Sequence, residues 1–214
     1  MLGTNPIAIS MPAKPYPFLM DIATSVVTRG KIEVYNKRHK PLPLGLALDK
    51  NGKDTEDPYD ILYNLPKKLG GGLVPLGGSK ELTGGHKGYG LALSVEIFTA
   101  ILSGGITGNY VTLQGSSGSG TCHYFCAIDY GIFGDKDSIE NKLSGYLNEL
   151  RNSKKAKGAL RIYTHGEKEI ESYKDKMENG IPMNEVTLEE INDICKYFNI
   201  KTSDYIKKFP IDKI

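Results

Sequence analysis

Three short stretches of this sequence carry residue types that could do chemistry. In "LTGGHKGYG", His86 and Lys87 stand between Gly85 and Gly88 and lead without a break into the apolar run "LALSVEIFTAIL". A helix start leaves backbone N–H groups unpaired and carries a partial positive charge. Glycines admit close approach to the backbone, and a lysine adds a full charge. The pattern therefore suits a phosphate or a carboxylate; the alternative is a glycine-rich helix start whose lysine is merely solvated. In "DIATS", Asp21 ends an apolar strand just before a capped helix, and strand ends are common ligand sites in α/β folds. A cap or turn residue explains Asp21 equally well. In "THGEKE", residues 164–169, Gly166 can adopt positive φ, and the plain alternative for Glu167 is a residue that only favours the start of the helix that follows. His165 reads as a turn or surface residue.

A fourth group, Cys122, His123 and Cys126, has metal-ligand chemistry but the wrong geometry. On a strand His123 points away from both cysteines, which lie about 13 Å apart at roughly 3.3 Å per residue. One tetrahedral ion does not bridge that gap. The expected role is buried apolar packing, with no metal site, and a metal-binding redox protein is set aside. Neither the G-x-x-x-x-G-K-[ST] loop nor a G-x-G-x-x-G turn after a strand is found.

The 214 residues suffice for one large domain or one and a half small ones, and the net charge of +2 is close to balanced. Acidic and basic residues interleave, so no nucleic-acid partner is expected, and "KRHK" and "KKAK" read as solvated faces. Three cysteines do not make a disulfide framework and fit a reducing cytosol. The longest apolar run is broken by Glu96 and is too short for a bilayer. The opening "MLGTNPIAIS" lacks a basic patch followed by an apolar region, so a cytoplasmic location without membrane association is expected.

The elements that must position these residues follow from periodicity. "PIAIS" and "PFLMD" read as strands around a proline-rich loop. Helical spacing is expected from Ala23 to Lys37, capped by Thr24 or Ser25. "LGLALD" reads as a strand before an Asn-Gly turn, and Asp57-Pro58 as the cap and first residue of a short helix. A glycine-rich span, 70–88, leads into a helix over 88–102. There Leu91, Val95, Phe98 and Leu102 would form the core stripe. A loose region, 104–120, precedes two further strand candidates, "TCHYFCAID" and "LRIYT", separated by a helix over 138–151. "EKEIESYKDKMEN" reads as an exposed helix closed by Gly180, and "TLEE" as a capping box for the last helix.

Taken in order, "LGTNPIAIS", "DIATSVVTRGKI", "GLALDKNGKDTEDP", "PLGG", "HKGYGLALSVEI", "LSGG", "THGEKE" and "NGIPM" resemble the malate/L-lactate dehydrogenase family, which includes ureidoglycolate and L-sulfolactate dehydrogenases. The resemblance covers nearly the whole chain. It implies an NAD- or NADP-dependent oxidoreductase acting on a small 2-hydroxy acid or 2-oxo acid, working as a homodimer with its site near the subunit interface. The fold it implies is mixed α/β (α+β) and non-Rossmann. A largely antiparallel sheet would be flanked by helices, with an NAD(P)-binding core over 1–165 and a helical C-terminal segment over 166–214. Carried over by position, Asp21, Ile22 and Ala23 correspond to a cofactor-contacting turn, Lys87 to a cofactor ligand, and Gly166, Glu167 and Lys168 to the segment closing over the dinucleotide. Ile22 stands where the family often has methionine, and "THGE" replaces a Pro-Gly-Glu turn. The family's catalytic histidine and substrate-binding arginine belong to a portion preceding "GTNP", and His39, His86, His123 and His165 do not match that base. The chain is therefore expected to be the C-terminal part of a dehydrogenase, either an interrupted gene product or one piece of a split enzyme with a complementing N-terminal chain, or else a nucleotide-binding fragment without catalysis.

Overall fold

A computed structural model of the protein describes residues 2–111 and 120–201. Strands β1 (Ile7–Met11) and β2 (Phe18–Ile22) form an antiparallel hairpin in the register Ile7↔Ile22 to Met11↔Phe18. Helices α1 (Arg29–Lys37) and α2 (Pro58–Lys67) flank a second antiparallel pair, β3 (Ala47–Leu48) and β4 (Gly72–Leu73). Helix α3 (Gly85–Glu96) runs directly into a π-helical turn, Ile97–Ile101. A 3₁₀ turn (Tyr130–Phe133) then precedes α4 (Lys136–Asn152), α5 (Glu167–Asn179) and α6 (Glu185–Tyr197). The architecture is mixed α and β as expected, but the described residues hold two small antiparallel sheets rather than one large one.

An irregular ladder ties the two sheets together. The Thr24 amide and hydroxyl both donate to the Thr4 carbonyl, at 2.9 and 3.0 Å, and the Leu76 amide donates to the Thr24 carbonyl at 3.0 Å. The Val26 amide reaches Val74 O, and the Val74 amide reaches Leu46 O. Thr24 is buried because both its polar groups find backbone partners there. The apolar core lies between α1, α2 and the β3–β4 pair, built from Ile32, Leu42, Ala47 and Ile61.

Several sequence expectations shift. The first helix begins at Arg29 under a Thr28 cap, because the backbone of residues 24–26 is tied to Thr4, Val74 and Leu76 by the ladder. The Asp57 cap and Pro58 start of α2 are found as read, with Asp57 Oδ1 accepting from the Tyr59 and Asp60 amides. The last helix is capped by Asn184, which accepts from the Thr187 amide. Glu190, expected in a capping box, instead pairs with Lys37. "TCHYFCAID" and "LRIYT" form no ladder among the described residues. Cys126 is exposed and Cys122 half-buried, so the cysteines are not core residues. Within the loose region, residues 112–119 lie outside the described ones.

The largest correction concerns α3. Leu91 and Phe98 face solvent, and the buried side is Gly85, Gly88, Ala92, Glu96 and Ala100. This face is small because α3 lies directly on backbone. A methyl group on Gly85 would overlap the Gly78 carbonyl, and one on Gly88 would overlap Leu76. Asn5 Nδ2 then donates to Ala92 O and to Glu96 Oε1, and the other Glu96 oxygen accepts from the Gly108 amide at 3.1 Å.

Candidate active site

The turn at 164–167 is the most tightly built feature. Gly166 caps α5 in the left-handed region at φ 100°. A Cβ there would lie 2.9 Å from Leu19 Cβ and 3.2 Å from the Pro17 carbonyl. Glycine is thus required twice, by conformation and by the close approach of β2. The Leu19 amide donates to His165 O at 3.1 Å, and the Phe18 and His165 rings meet edge to face at 5.5 Å.

Glu167, the next residue, is fully buried. Its Oε1 accepts from Arg151 Nε, the Thr164 hydroxyl and the Thr164 amide, and its Oε2 accepts from Arg161 at 2.7 Å. Burial alone would push the carboxyl pKa up. The donors from Arg151, Thr164 and Arg161 outweigh it and bring the pKa from 4.5 to about 2. Glu167 is therefore an anion at neutral pH whose oxygens are filled by the protein's own donors. It fixes the turn rather than offering an open carboxylate. Lys168 is exposed, with its ammonium 4.7 Å from the Tyr163 ring centre, and Arg161 stacks over the same ring at 4.5 Å. Arg151, Arg161 and Thr164 were not singled out by the sequence reading. Two arginines separated in sequence from the acid they share leave no local pattern.

Asp21, Ile22 and Ala23 continue β2 beyond this turn. Asp21 is exposed opposite Ala8, while Ile22 and Ala23 are half-buried. A shallow cleft of about 170 Å³, lined by Ala8, Ile9, Ser10, Leu19, Met20 and Asp21, crosses the β1–β2 hairpin. A larger cleft of about 250 Å³ lies apart from these residues, between Lys14 and α4 at Asp137 and Glu140. Both fall below the roughly 300–1,000 Å³ of small-molecule sites.

Lys87 stands in the first turn of α3, exposed, and its ammonium has no hydrogen-bond or ion-pair partner among the described residues. Gly84, the cap residue, supplies no side chain. Two of the first amides are already occupied: Gly85 N donates to Lys80 O and Lys87 N to Gly84 O. Gly85 and Gly88 also serve the close packing of α3 on residues 76–80 rather than leaving space for a ligand. A chain of direct contacts links the two halves of the candidate site. The Gly166 turn sits on β2, β2 leads into Thr24, Thr24 bonds Leu76, and Leu76 packs on Gly88 beside Lys87.

Comparison with known proteins places this geometry. The sequence model of the malate/L-lactate dehydrogenase family matches residues 1–192. The chain is similar to a malate dehydrogenase of Pyrococcus horikoshii, with 42% identity over 94% of this chain and 54% of that protein. It is also similar to an L-sulfolactate dehydrogenase of Methanocaldococcus jannaschii, with 36% identity over 97% of this chain and 56% of that one. Among solved structures, a malate dehydrogenase from Entamoeba histolytica superposes with a TM-score of 0.86 and 36% identity over 93% of this chain and 56% of that chain. The Pyrococcus horikoshii malate dehydrogenase structure gives 0.81 and 39% over 94% and 53%. The chain thus spans about half the length of the curated relatives it matches. Among the described residues no helix is long and apolar enough to cross a membrane. With the family pattern and the backbone in agreement over most of its length, the chain belongs to the malate/L-lactate dehydrogenase family.

Proposed function

We propose that this chain supplies the cofactor-binding half of an NAD- or NADP-dependent dehydrogenase for a small 2-hydroxy acid. The observation that carries the reading is the Gly166 turn, built on β2 beside Asp21 and fixed by the buried Glu167, in a chain matched to the family over residues 1–192. Asp21, Ile22, Ala23, Lys87, Gly166 and Lys168 line the cofactor site. Glu167 belongs to it as the group that holds the turn. The fit rests on three features of the chain: an ammonium at Lys87 without an internal partner, a second exposed ammonium at Lys168, and a left-handed turn whose backbone carries no side chain. Both ammonium groups suit a dinucleotide's phosphates.

When bound, the nicotinamide exchanges a hydride with the carbinol carbon of the substrate. The residues of this chain bind and orient the dinucleotide. The proton acceptor and the carboxylate-binding cation belong to the portion of the family that this chain does not match, and none of its own histidines is assigned to that role. The proposed fold is a non-Rossmann nucleotide-binding one, with a core over 1–165, a C-terminal helical segment over 166–214, and a homodimeric assembly in the cytoplasm. A second reading, a nucleotide-binding subunit without activity of its own, is favoured by a match that covers only 54% of the malate dehydrogenase relative.

The test is to titrate the chain with NADH and NADPH, following nucleotide fluorescence. The chain is then mixed with NAD+ or NADP+ and malate, lactate or sulfolactate, and reduced-cofactor absorbance is recorded. Saturable nucleotide binding with negligible turnover supports the reading. Absence of binding to both nucleotides removes it, and robust turnover by the chain alone removes its division of labour.

A further inference from the structure

The segment 122–128, "CHYFCAI", sets residues two apart on one face, as a strand does, and is not hydrogen-bonded as one among the described residues. Its side chains alternate. His123 and Phe125 stack at 6.0 Å with 20° between their rings, and Tyr124 lies near Cys126, so residues two apart share a face. Yet no backbone–backbone hydrogen bond involves residues 122–128 among the described residues. Solvated backbone is ordinary in a polar loop, but this segment is apolar and displays large side chains: Phe125 is 89% exposed and Ile128 66%. It also lacks the lysine or proline with which free edge strands are usually blunted.

A wider apolar surface continues from it. Tyr124 packs on Phe98 at 5.1 Å between ring centres. Phe98, Ile101 and Leu102 extend the exposed apolar surface along the π-helical turn. One strand added beside 122–128 would satisfy the alternate amides and carbonyls along the edge it pairs with and help to bury these side chains.

We infer that residues 122–128 form an incomplete strand that pairs with a strand of the polypeptide equivalent to the unmatched half of the relatives, docking over the Phe98–Leu102 surface. The occupant is chosen on length. Relatives with this backbone at a TM-score of 0.81–0.86 carry almost as much chain again outside the match. A second copy of this chain is a competing occupant that the test separates. The inference rests on family membership and not on the proposed reaction.

The experiment co-expresses the full chain with the part of the Pyrococcus horikoshii malate dehydrogenase lying outside the match. It reads native mass and amide hydrogen exchange. A one-to-one complex is expected, in which alternate amides of 122–128 exchange at least tenfold more slowly than in the free chain. Because alternate amides of a strand face its neighbour, one of Tyr124→Pro and Phe125→Pro should abolish the complex while the other is tolerated. Both variants should leave the circular dichroism of the free chain unchanged, since neither amide has an internal backbone partner. Failure to form the complex overturns the inference, as does a complex without protection at 122–128. Protection already present in the free chain overturns it too, assigning the pairing to the chain itself if monomeric or to a second copy if dimeric. A protected complex that shows no turnover would count against the proposed reaction alone.

Discussion

Arg161 donates to Glu167 at 2.7 Å, and Glu167 is the most completely buried charge among the described residues. Arg161 itself is 42% exposed and also reaches Glu171 at 2.8 Å, so the network runs from the protein surface into the turn at Gly166. Arg151 enters from α4 on the other side of the same carboxylate. Through this arrangement α4, the 161–164 segment and α5 share one ion-pair centre.

Stability should fall as that carboxylate is protonated. Its pKa is lowered, from 4.5 to about 2, so its contribution is complete above pH 4.5 and is lost as pH drops toward 2. The difference corresponds to about 3 kcal/mol, an upper figure because Arg161 is partly in water. Urea denaturation of the wild type and Glu167→Gln from pH 7 to pH 2 checks it. The two curves should converge at low pH, with the variant less stable at pH 7 by about 3–5 kcal/mol if both arginines are left unpaired. A pH-independent gap would place the cost in packing instead.

Gly166→Ala should damage the turn and, with it, the proposed nucleotide site. The added methyl would stand 2.9 Å from Leu19 Cβ at a φ of 100°, where side chains are strained. A loss of about 1–3 kcal/mol in stability is expected, with a weakened nucleotide dissociation constant. Thermal melting and fluorescence titration of one preparation measure both. Full stability with unchanged binding would show that β2 moves aside freely.

Lys87→Ala separates binding from folding. The ammonium has no partner among the described residues, so stability should change by less than about 0.5 kcal/mol. If it makes a charge-assisted bond to the nucleotide, affinity should fall by about 1.5–3 kcal/mol, roughly ten- to 150-fold. Raised salt should shrink the difference. An unchanged affinity at low salt would return Lys87 to the role of a solvated side chain.

Local signals were legible in the sequence where a short run decides the outcome. Asp57-Pro58 starts α2, Gly180 closes α5, and the β1 and β2 strands are written in their apolar runs. Signals that depend on distant partners were not. Thr24 and Ser25 looked like caps because their residue types fit, yet Thr24 is claimed by Thr4 and Leu76. "TLEE" matched a capping box, but Asn184 three residues earlier took the cap and Glu190 went to Lys37. Asp21, Lys87 and Gly166 were singled out as site residues from their turns and from the family pattern. Arg151 and Arg161, which hold the turn from α4 and from a ladderless segment, left no such pattern.

The face of α3 provides the sharpest contrast, because one helix holds two glycines with opposite expectations. Gly88 is buried, and any Cβ there would overlap the backbone of Leu76. Gly90 is exposed in the same helix, with no atom within 4 Å of a Cβ built on it. Gly90→Ala should therefore stabilise the protein by up to about 1 kcal/mol through helix propensity alone. Gly88→Ala has the same propensity gain but must lift α3 off residues 76–80, at a net cost of about 3 kcal/mol or more. That displacement would also move Lys87, so Gly88→Ala should weaken nucleotide binding while Gly90→Ala leaves it unchanged. Chemical denaturation and NADH titration of the two variants side by side decide the matter. Equal stabilities would mean that α3 does not rest on that backbone at all.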